Sequence, residues 1–590
     1  MTESSPHVVT SAITSYGGIS MLTQIEQGLT KNPHSLAVIS QHQLSGHLSD
    51  ITSPCTDEPV NNGCLAWTYT QLFEAALRLA LGLRIRSIPT NSAIVTFIPN
   101  RVEWALFLWA STIHKLNFGS LDHTALQSGR QQELRGYLTV LRPTVAVVVR
   151  PEDYGQIYRA CDACGVEQPL VVVLAPTQPV SDEASRPWVC ISELAAFISP
   201  SDQEDRSIIL RTARRYDPER TAVTLFTSGT TSGRPKGCLR HVQGSTFVTD
   251  AISDSFRLAE DACRFLHMGV NYRVSTVALS LSTWKCGGAT VISGDEFTAE
   301  SALRAIERYA ITHMFCAPSL FHALEDHPAF PRTNLTPLRY VLLGGEIISK
   351  ERFMHAAKVF PGAKIAIGHG MTECSGTFVW PFFDSAIEDI PFRDGIAPVG
   401  YVLPGQAIRI WDLANDRLAQ ADETGELQIC SPALIKDYVG VETVGTFIDD
   451  PTGRWFKTGD IAVMNEVGLV WILGRLNDRI KRGGCSITPA AIEACIEEYV
   501  GTSACVFGME HATLGEDVYA VVEQLHGKTR KNIAEHVLVN LGKDYALGRI
   551  FILEELGLDV FPTNATGKKM KGVLKSDVMR YLASKLPRMA

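Results

Sequence analysis

Short runs of β-branched and apolar residues recur along the chain as far as about residue 475, with stretches of helical spacing between them. SAIVTFI (Ser92–Ile98), PTVAVVV (Pro143–Val149) and PLVVVLA (Pro169–Ala175) are apolar at consecutive positions, the pattern of strands covered on both faces. TYTQLFEAALRLALGLR (Thr68–Arg84) predicts an amphipathic helix with Thr70 as its N-cap. Such alternation predicts an α/β fold of layered, mostly parallel sheets and helices. A β-rich patch is expected near GELQIC (Gly425–Cys430) and GLVWILG (Gly468–Gly474).

At 590 residues the chain is too long for one core. Charge and glycine cluster at GRLNDRIKRGG (Gly474–Gly484), a composition shift that predicts a large N-terminal domain over 1–474, a linking segment over 475–484 and a small α+β domain over 485–590. The polar Ser/Pro/Asn-rich stretch from Leu44 to Gly63 is expected to be a surface insertion. The net charge of -9 comes with no long basic run, so nucleic acid is not an expected partner. WALFLWASTI (Trp104–Ile113) is too short to span a bilayer. The N-terminus lacks the pattern of a secretory signal, and Ser584-Lys585-Leu586 is not terminal, so a cytoplasmic protein without membrane insertion is expected. The 14 cysteines are scattered, and the lone CxxC, Cys161 and Cys164, lacks a second pair to make a zinc site.

TLFTSGTTSGRPKGCLRH (Thr224–His241) has the composition of an anion-binding loop: glycines admit backbone N–H groups to an anion, Ser and Thr add hydroxyl donors, and Lys236 adds charge. A Walker loop needs four residues between its glycines and a Lys directly after the second; here three separate Gly229 from Gly233, and Arg234 and Pro235 precede Lys236. A kinase or other NTPase is thereby disfavoured.

FTSGTTSGRPKG resembles the signature loop of the adenylate-forming superfamily, which includes acyl- and aryl-CoA synthetases, non-ribosomal adenylation domains and luciferases. Further matches follow in that family's order: LLGGE (Leu342–Glu346), GHGMTE (Gly368–Glu373), GEL (Gly425–Leu427), WFKTGD (Trp455–Asp460), GRLNDRIKRGG and NATGKKMK (Asn564–Lys571). The resemblance spans nearly the whole chain and implies roles residue by residue. Thr227, Ser228, Gly229, Thr230, Thr231 and Lys236 would wrap the β- and γ-phosphates of ATP. Thr372 would meet the α-phosphate, and Glu373 would hold Mg²⁺, a hard ion suited to carboxylate oxygen. Gly344, Gly345, Glu346, His369 and Gly370 would form the adenine site. His369 stands where Tyr or Phe is usual and offers less area for stacking. Asp460 would bind the ribose hydroxyls, with Arg475 beside it. Lys568 would stabilise charge building at the α-phosphate, with Lys569 as an adjacent rival. Asn477 would be the hinge, and Gly483 and Gly484 would enter the site for the thiol-transfer step.

The implied activity is two half-reactions: acid plus ATP gives acyl-AMP and pyrophosphate, and a thiol then displaces AMP. The acyl pocket would be formed by Gly345, Gly368 and LHMGVNYRVST (Leu266–Thr276), including Asn271, Tyr272 and Arg273. The form resembles the aryl-acid branch, where an Asn meets a ring hydroxyl, and Asn271 is the candidate. Arg273 would pair with a second carboxylate if it faces the pocket, and otherwise points to solvent. Coenzyme A is the expected acceptor, with no room for a carrier domain in cis; a separate carrier protein is the alternative. An ATP-binding pseudoenzyme is the alternative from another class, opposed by the joint presence of Lys236, Thr372, Glu373, Asp460 and Lys568.

Overall fold

A computed structural model describes residues 8–10, 16–52, 63–174, 186–196, 203–227, 235–260, 263–441, 444–482, 485–563 and 569–585. Among them the alternating pattern builds two large sheets. In the first, the strands Thr221–Thr227, Asn117–Ser120, Ala93–Phe97, Val145–Val148, Leu170–Val173 and Val189–Cys190 run parallel as neighbours. Lys236–His241 and then Tyr438–Val439 extend it antiparallel at one edge. The second sheet orders Lys364–Gly368, Tyr340–Gly344, His313–Cys316, Arg264–His267, Ala289–Ile292 and Leu36–Leu44 in parallel, with Cys64–Thr68 antiparallel at the end. The three apolar runs read from the sequence are all strands of the first sheet, buried along their length apart from part-exposed Leu170.

Helices cover these sheets. Val102–His114 is buried at every position, and its Glu103 is held by Gln43 Nε2 at 2.8 Å and His47 Nε2 at 2.7 Å. The expected amphipathic helix is Tyr69–Ile85, but its cap is Thr68 and not Thr70. Thr68 Oγ1 accepts from the Gln71 N–H while Gln71 Oε1 accepts from the Thr68 N–H, a capping box that the Thr-x-x-Gln spacing contained. Thr70 instead donates to the Pro33 carbonyl at 2.8 Å. The helix Tyr154–Cys164 ends at Gly165 with φ of 64°; Cys161 inside it is buried, which pushes its thiol up to about 11, and both CxxC thiols are free. In the Leu44–Gly63 stretch, residues 53–62 lie outside the described set, and Leu48 and Ile51 are buried against the main core.

The expected β-rich patch is an antiparallel sheet of Val8–Thr10, Ala407–Asp412, Thr424–Cys430, Gly453–Met464 and Phe447–Asp450, with Val470–Arg475 paired along Gly453–Met464. After the turn Leu476–Asp478, the strands Cys485–Ile487, Ile480–Arg482, Gly515–Val522, Ala504–His511 and Arg549–Ile552 form a last sheet. The helices Pro489–Val500, Arg530–Leu541 and Lys571–Lys585 pack on it around cores of their own. No helix among the described residues is long and apolar enough to cross a membrane.

Two histidines sit in the second sheet's core. His267 lies 2.8 Å from Ser280 Oγ, and burial pulls its pKa down to about 3. His313 stacks on Tyr340 at 4.7 Å, and burial pulls it down to about 4. Both stay neutral while the unfolded chain, with histidines near 6.5, takes up protons. Their contribution is therefore intact above pH 6.5 and is lost as pH falls towards 4, at about 1.4 kcal/mol per pH unit for each. The thermal midpoint is expected to drop between pH 7 and pH 5, and less steeply in His267→Gln/His313→Gln. An equally steep drop in that variant would remove the two histidines as the cause.

Candidate active site

The site assembles where strands of the second sheet end and the first sheet's antiparallel edge begins. Tyr340–Gly344 and Lys364–Gly368 run parallel and finish level, with Gly344 opposite Gly368. A Cβ on Gly344 would lie 2.6 Å from the Gly368 carbonyl, and Gly345 turns the chain at φ of 92°, a conformation that favours glycine. The strand ends thus approach closely and release Glu346 on one side and His369 on the other. Gly370–Met371 then pairs with Ser375–Gly376 as a tight hairpin, which carries Thr372 and Glu373 at its tip.

Glu373 is buried and faces the edge of the first sheet. It accepts a hydrogen bond from the hydroxyl of Tyr438, and Lys236 Nζ lies 5.3 Å over the same tyrosine ring. Tyr438 is placed by the short strand Tyr438–Val439, which pairs with Gly237 and Cys238. Lys236 pairs with Thr227 across the neighbouring strands, so the two ends of the glycine-rich loop are side by side. Burial first, and the Glu373 charge second, push the Tyr438 phenol far above its ordinary value, so it remains a proton donor at neutral pH.

The other wall comes from the β-rich sheet. Asp460 and Arg475 are direct partners on adjacent strands, and Arg475 Nη1 donates to Asp460 Oδ1 at 2.5 Å. His369 Nε2 lies 3.4 Å from Asp460 Oδ2, and its ring stands edge-on to Phe378 at 5.3 Å. Burial opposes ionisation of Asp460, but the His369 hydrogen bond and the Arg475 charge outweigh it and hold the carboxyl below its ordinary range. His369 Nδ1 is buried with no partner among the described residues.

Glu346 is engaged in a buried ionic chain that reaches the C-terminal region. Arg352 Nη1 donates to Glu346 Oε2 at 3.0 Å, and Arg352 Nη2 donates to Glu497 Oε1 at 2.6 Å and to Ser503 Oγ at 3.2 Å. Ser349 Oγ donates to the other Glu497 oxygen at 3.2 Å. Lys569 continues the chain, donating to Ser503 Oγ at 2.6 Å and to the Ala504 carbonyl at 2.7 Å. Its ammonium is half-buried and occupied, so it is poorly placed to act as the mobile cation for which it was a rival.

On the acyl side the structure corrects one expectation. Asn271 is buried, and its side-chain NH₂ donates to the carbonyls of Ile98 at 2.8 Å and Pro99 at 2.9 Å. Its own N–H donates to Asn100 Oδ1 at 2.9 Å. Both amide hydrogens are spent on bracing the segment 98–100, and Oδ1, which could accept from a ring hydroxyl, is buried and accepts from Ser120 Oγ at 3.4 Å, so the whole side chain is engaged within the fold. Tyr272 is half-buried, and burial together with Asp122 pushes its phenol up to about 12. Arg273 stands at the N-cap position of the helix Val274–Lys285 and is half-buried over the Tyr272 ring at 5.4 Å, with its Nε buried and without a hydrogen-bond partner among the described residues.

A family model described as AMP-binding enzyme matches residues 53–439. Over 582 residues, 96% of this chain and 97% of the relative, the chain is 32% identical to an acyl–CoA ligase of Pestalotiopsis microspora. The chain belongs to the AMP-binding enzyme family. It is 26% identical to 4-coumarate–CoA ligase-like 4 of Oryza sativa subsp. japonica over 88% of this chain and 89% of that one. Among solved structures, ATP-bound MatB of Rhodopseudomonas palustris shares the fold, with a TM-score of 0.75 over 94% of this chain and 98% of that one at 21% identity.

In this AMP-binding enzyme the structure brings together Thr227, Lys236, Gly344, Gly345, Gly368, His369, Gly370, Thr372, Glu373, Asp460 and Arg475. Asn477 is exposed in the turn Leu476–Asp478. Ser228, Gly229, Thr230, Thr231, Gly483, Gly484 and Lys568 lie outside the described residues. Sequence reasoning missed Tyr438, Arg352 with Glu497, and Arg240, whose Nη1 donates to the Thr372 carbonyl at 3.0 Å. Tyr438 carries no local signal, because its partner Glu373 is 65 residues away. Arg240 did carry one: a charged residue two positions from Cys238 in the run GCLRHV, which alternation along a strand places on the same buried face.

Proposed function

We propose that this AMP-binding enzyme is an ATP-dependent, AMP-forming acid–thiol ligase. A carboxylate oxygen attacks the α-phosphorus of ATP, the bond to the bridging oxygen breaks, and pyrophosphate leaves. The thiol sulfur of coenzyme A then attacks the acyl carbon, and AMP leaves. What supports this is the continuous chain of contacts from Lys236 through Tyr438 and Glu373 to the hairpin, and from His369 to Asp460 and Arg475. It gives one end of a nucleotide a cation and the other a buried carboxylate able to accept two hydroxyls.

Within this scheme Lys236 neutralises the departing phosphates, and Tyr438 orients Glu373 by occupying one of its oxygens. Among the described residues no group of three or more metal-ligating side chains occurs. Glu373 therefore fits a Mg²⁺ ion that arrives with the nucleotide and takes its remaining oxygens from phosphate and water. When bound, that ion supplies charge neutralisation at the phosphates. Lys568 acts in the first half-reaction, and rotation about Asn477 exchanges its loop for Gly483–Gly484 in the second. An aromatic acid remains the expectation from the aryl-branch resemblance. Asn271 no longer supports it; similarity to the rice 4-coumarate–CoA ligase-like protein does.

Acid-dependent exchange of pyrophosphate into ATP, without coenzyme A, is expected for at least one member of a broad carboxylic-acid panel. Coenzyme A should then convert exchange into net release of AMP; release only with a carrier-protein thiol would move the acceptor to the alternative. No exchange with any acid would remove the ligase and leave nucleotide binding alone. Asp460→Asn removes a charged acceptor and is expected to raise the KM for ATP at least about tenfold. An unchanged KM would take Asp460 out of the ribose site.

A further inference from the structure

The residues that follow Lys568 are fastened to the C-terminal region by two ionic rungs. The helix Pro489–Val500 carries Glu493 and Glu497 one turn apart, and both reach the strand Ala504–His511. Glu497 Oε1 accepts from the Ala504 N–H at 3.1 Å, and Glu493 Oε1 from the Val506 N–H at 2.8 Å. Lys569 donates to the Ala504 carbonyl at 2.7 Å and stands 3.8 Å from Glu497 Oε1. Lys571 repeats the pattern two residues on, donating to the Val506 carbonyl at 2.9 Å and to Glu493 Oε1 at 2.7 Å. Met570 between them is 41% exposed, and its N–H donates to the Pro562 carbonyl at 2.8 Å. Thr563 and Lys569 form an antiparallel bridge.

Burial opposes ionisation of Glu493, but the charges of Lys571 and Lys569 outweigh it and hold the carboxyl below its ordinary range. An ion pair withdrawn from water adds little net stability over apolar packing, yet breaking it is costly. Paired charges therefore fix register where apolar contacts would tolerate a slip. A slip of the chain by two residues would bring Gly567 to Glu497 or Val573 to Glu493, and either way one carboxylate would lose its cation. The upper rung also looks outward. Ser503 Oγ and Glu497 Oε1 take both Lys569 and Arg352, and the other terminal nitrogen of Arg352 holds Glu346. The same acceptors thus set Lys569 against the turn expected to hold adenine.

We propose that Lys569 and Lys571 are positioning residues for adenylation: their rungs fix the register of the chain at 569–571 and so place Lys568, the next residue back. This rests on the ligase function proposed above and on the part given there to Lys568. Lys569 is thereby not a rival to Lys568 but its anchor.

The test is a mutant cycle in acid-dependent pyrophosphate exchange. Lys571→Met is expected to lower kcat at least about tenfold, with the KM for ATP within about twofold of wild type. Lys571→Arg, which keeps the charge, should stay within a few-fold. In a Lys568→Ala background, Lys571→Met should cost less than about twofold more, because the group it places is gone. A full further loss in that background, or an unchanged kcat in Lys571→Met alone, would overturn the proposal and leave the rungs as supports of the helix Lys571–Lys585 only. Should Lys571→Met fail to fold, Lys569→Met decides by the same cycle. Amide hydrogen exchange without substrates separates this proposal from the ligase reading. Lys571→Met should speed exchange of the Met570 amide at least about tenfold and leave the later turns of the helix Lys571–Lys585 close to wild type, even if no acid supports pyrophosphate exchange. An unchanged Met570 amide, or acceleration spread evenly along that helix, would overturn the register role.

Discussion

Lys568→Ala is expected to lower acid-dependent pyrophosphate exchange by about 10²–10³-fold, the loss typical of removing one preorganised stabiliser of transition-state charge. Thiolation of supplied acyl-AMP should remain within a few-fold of wild type, because the proposed scheme gives Lys568 a part in the first half-reaction alone. The neighbouring Lys569 cannot substitute. Its ammonium is held by Ser503 Oγ and the Ala504 carbonyl and lies 4.5 Å from the Phe561 ring. Comparable loss of both half-reactions would contradict a role confined to adenylation and, with it, the exchange of loops about Asn477.

Arg352→Met is expected to be the most damaging change outside the nucleotide contacts. It strands Glu346 and Glu497, two carboxylates that share one guanidinium in a buried setting where the Arg352 side chain is 12% exposed and that of Glu497 4%. Breaking one partner of such a buried pair costs about 3–5 kcal/mol. The helix Pro489–Val500 that carries Glu497 belongs to the C-terminal region, so the loss falls on the docking of that region as well as on stability. Arg352→Met should lower the thermal midpoint and slow adenylation together, and adding Glu497→Gln should recover part of both. Strictly additive losses in that cycle would mean that Arg352 and Glu497 are not coupled.

The two parallel sheets were legible because consecutive apolar runs such as Val145–Val148 have no stable alternative to burial on both faces. The helix Tyr69–Ile85 was legible too, but its start was misplaced by two residues: the choice of Thr70 passed over the reciprocal Thr68–Gln71 bonds. At the site, ordered motifs gave the glycines and the charged residues, since each motif is local. Tyr438, Arg352 and Glu497 were not legible, because their roles come from partners on distant segments: Glu373 for the first, and Arg352 with Glu497 across 145 residues. Asn271 shows the converse failure. A polar residue in an apolar stretch invites a ligand, yet here the backbone carbonyls of Ile98 and Pro99 claim it.

Identification of the nucleotide product during turnover tests the central claim most directly. With an accepted acid and coenzyme A, AMP and pyrophosphate are expected to form in equal amounts with the acyl thioester, and no ADP. Formation of ADP and phosphate in their place would contradict cleavage of ATP at the α-phosphate and the role assigned here to every residue from Lys236 to Lys568.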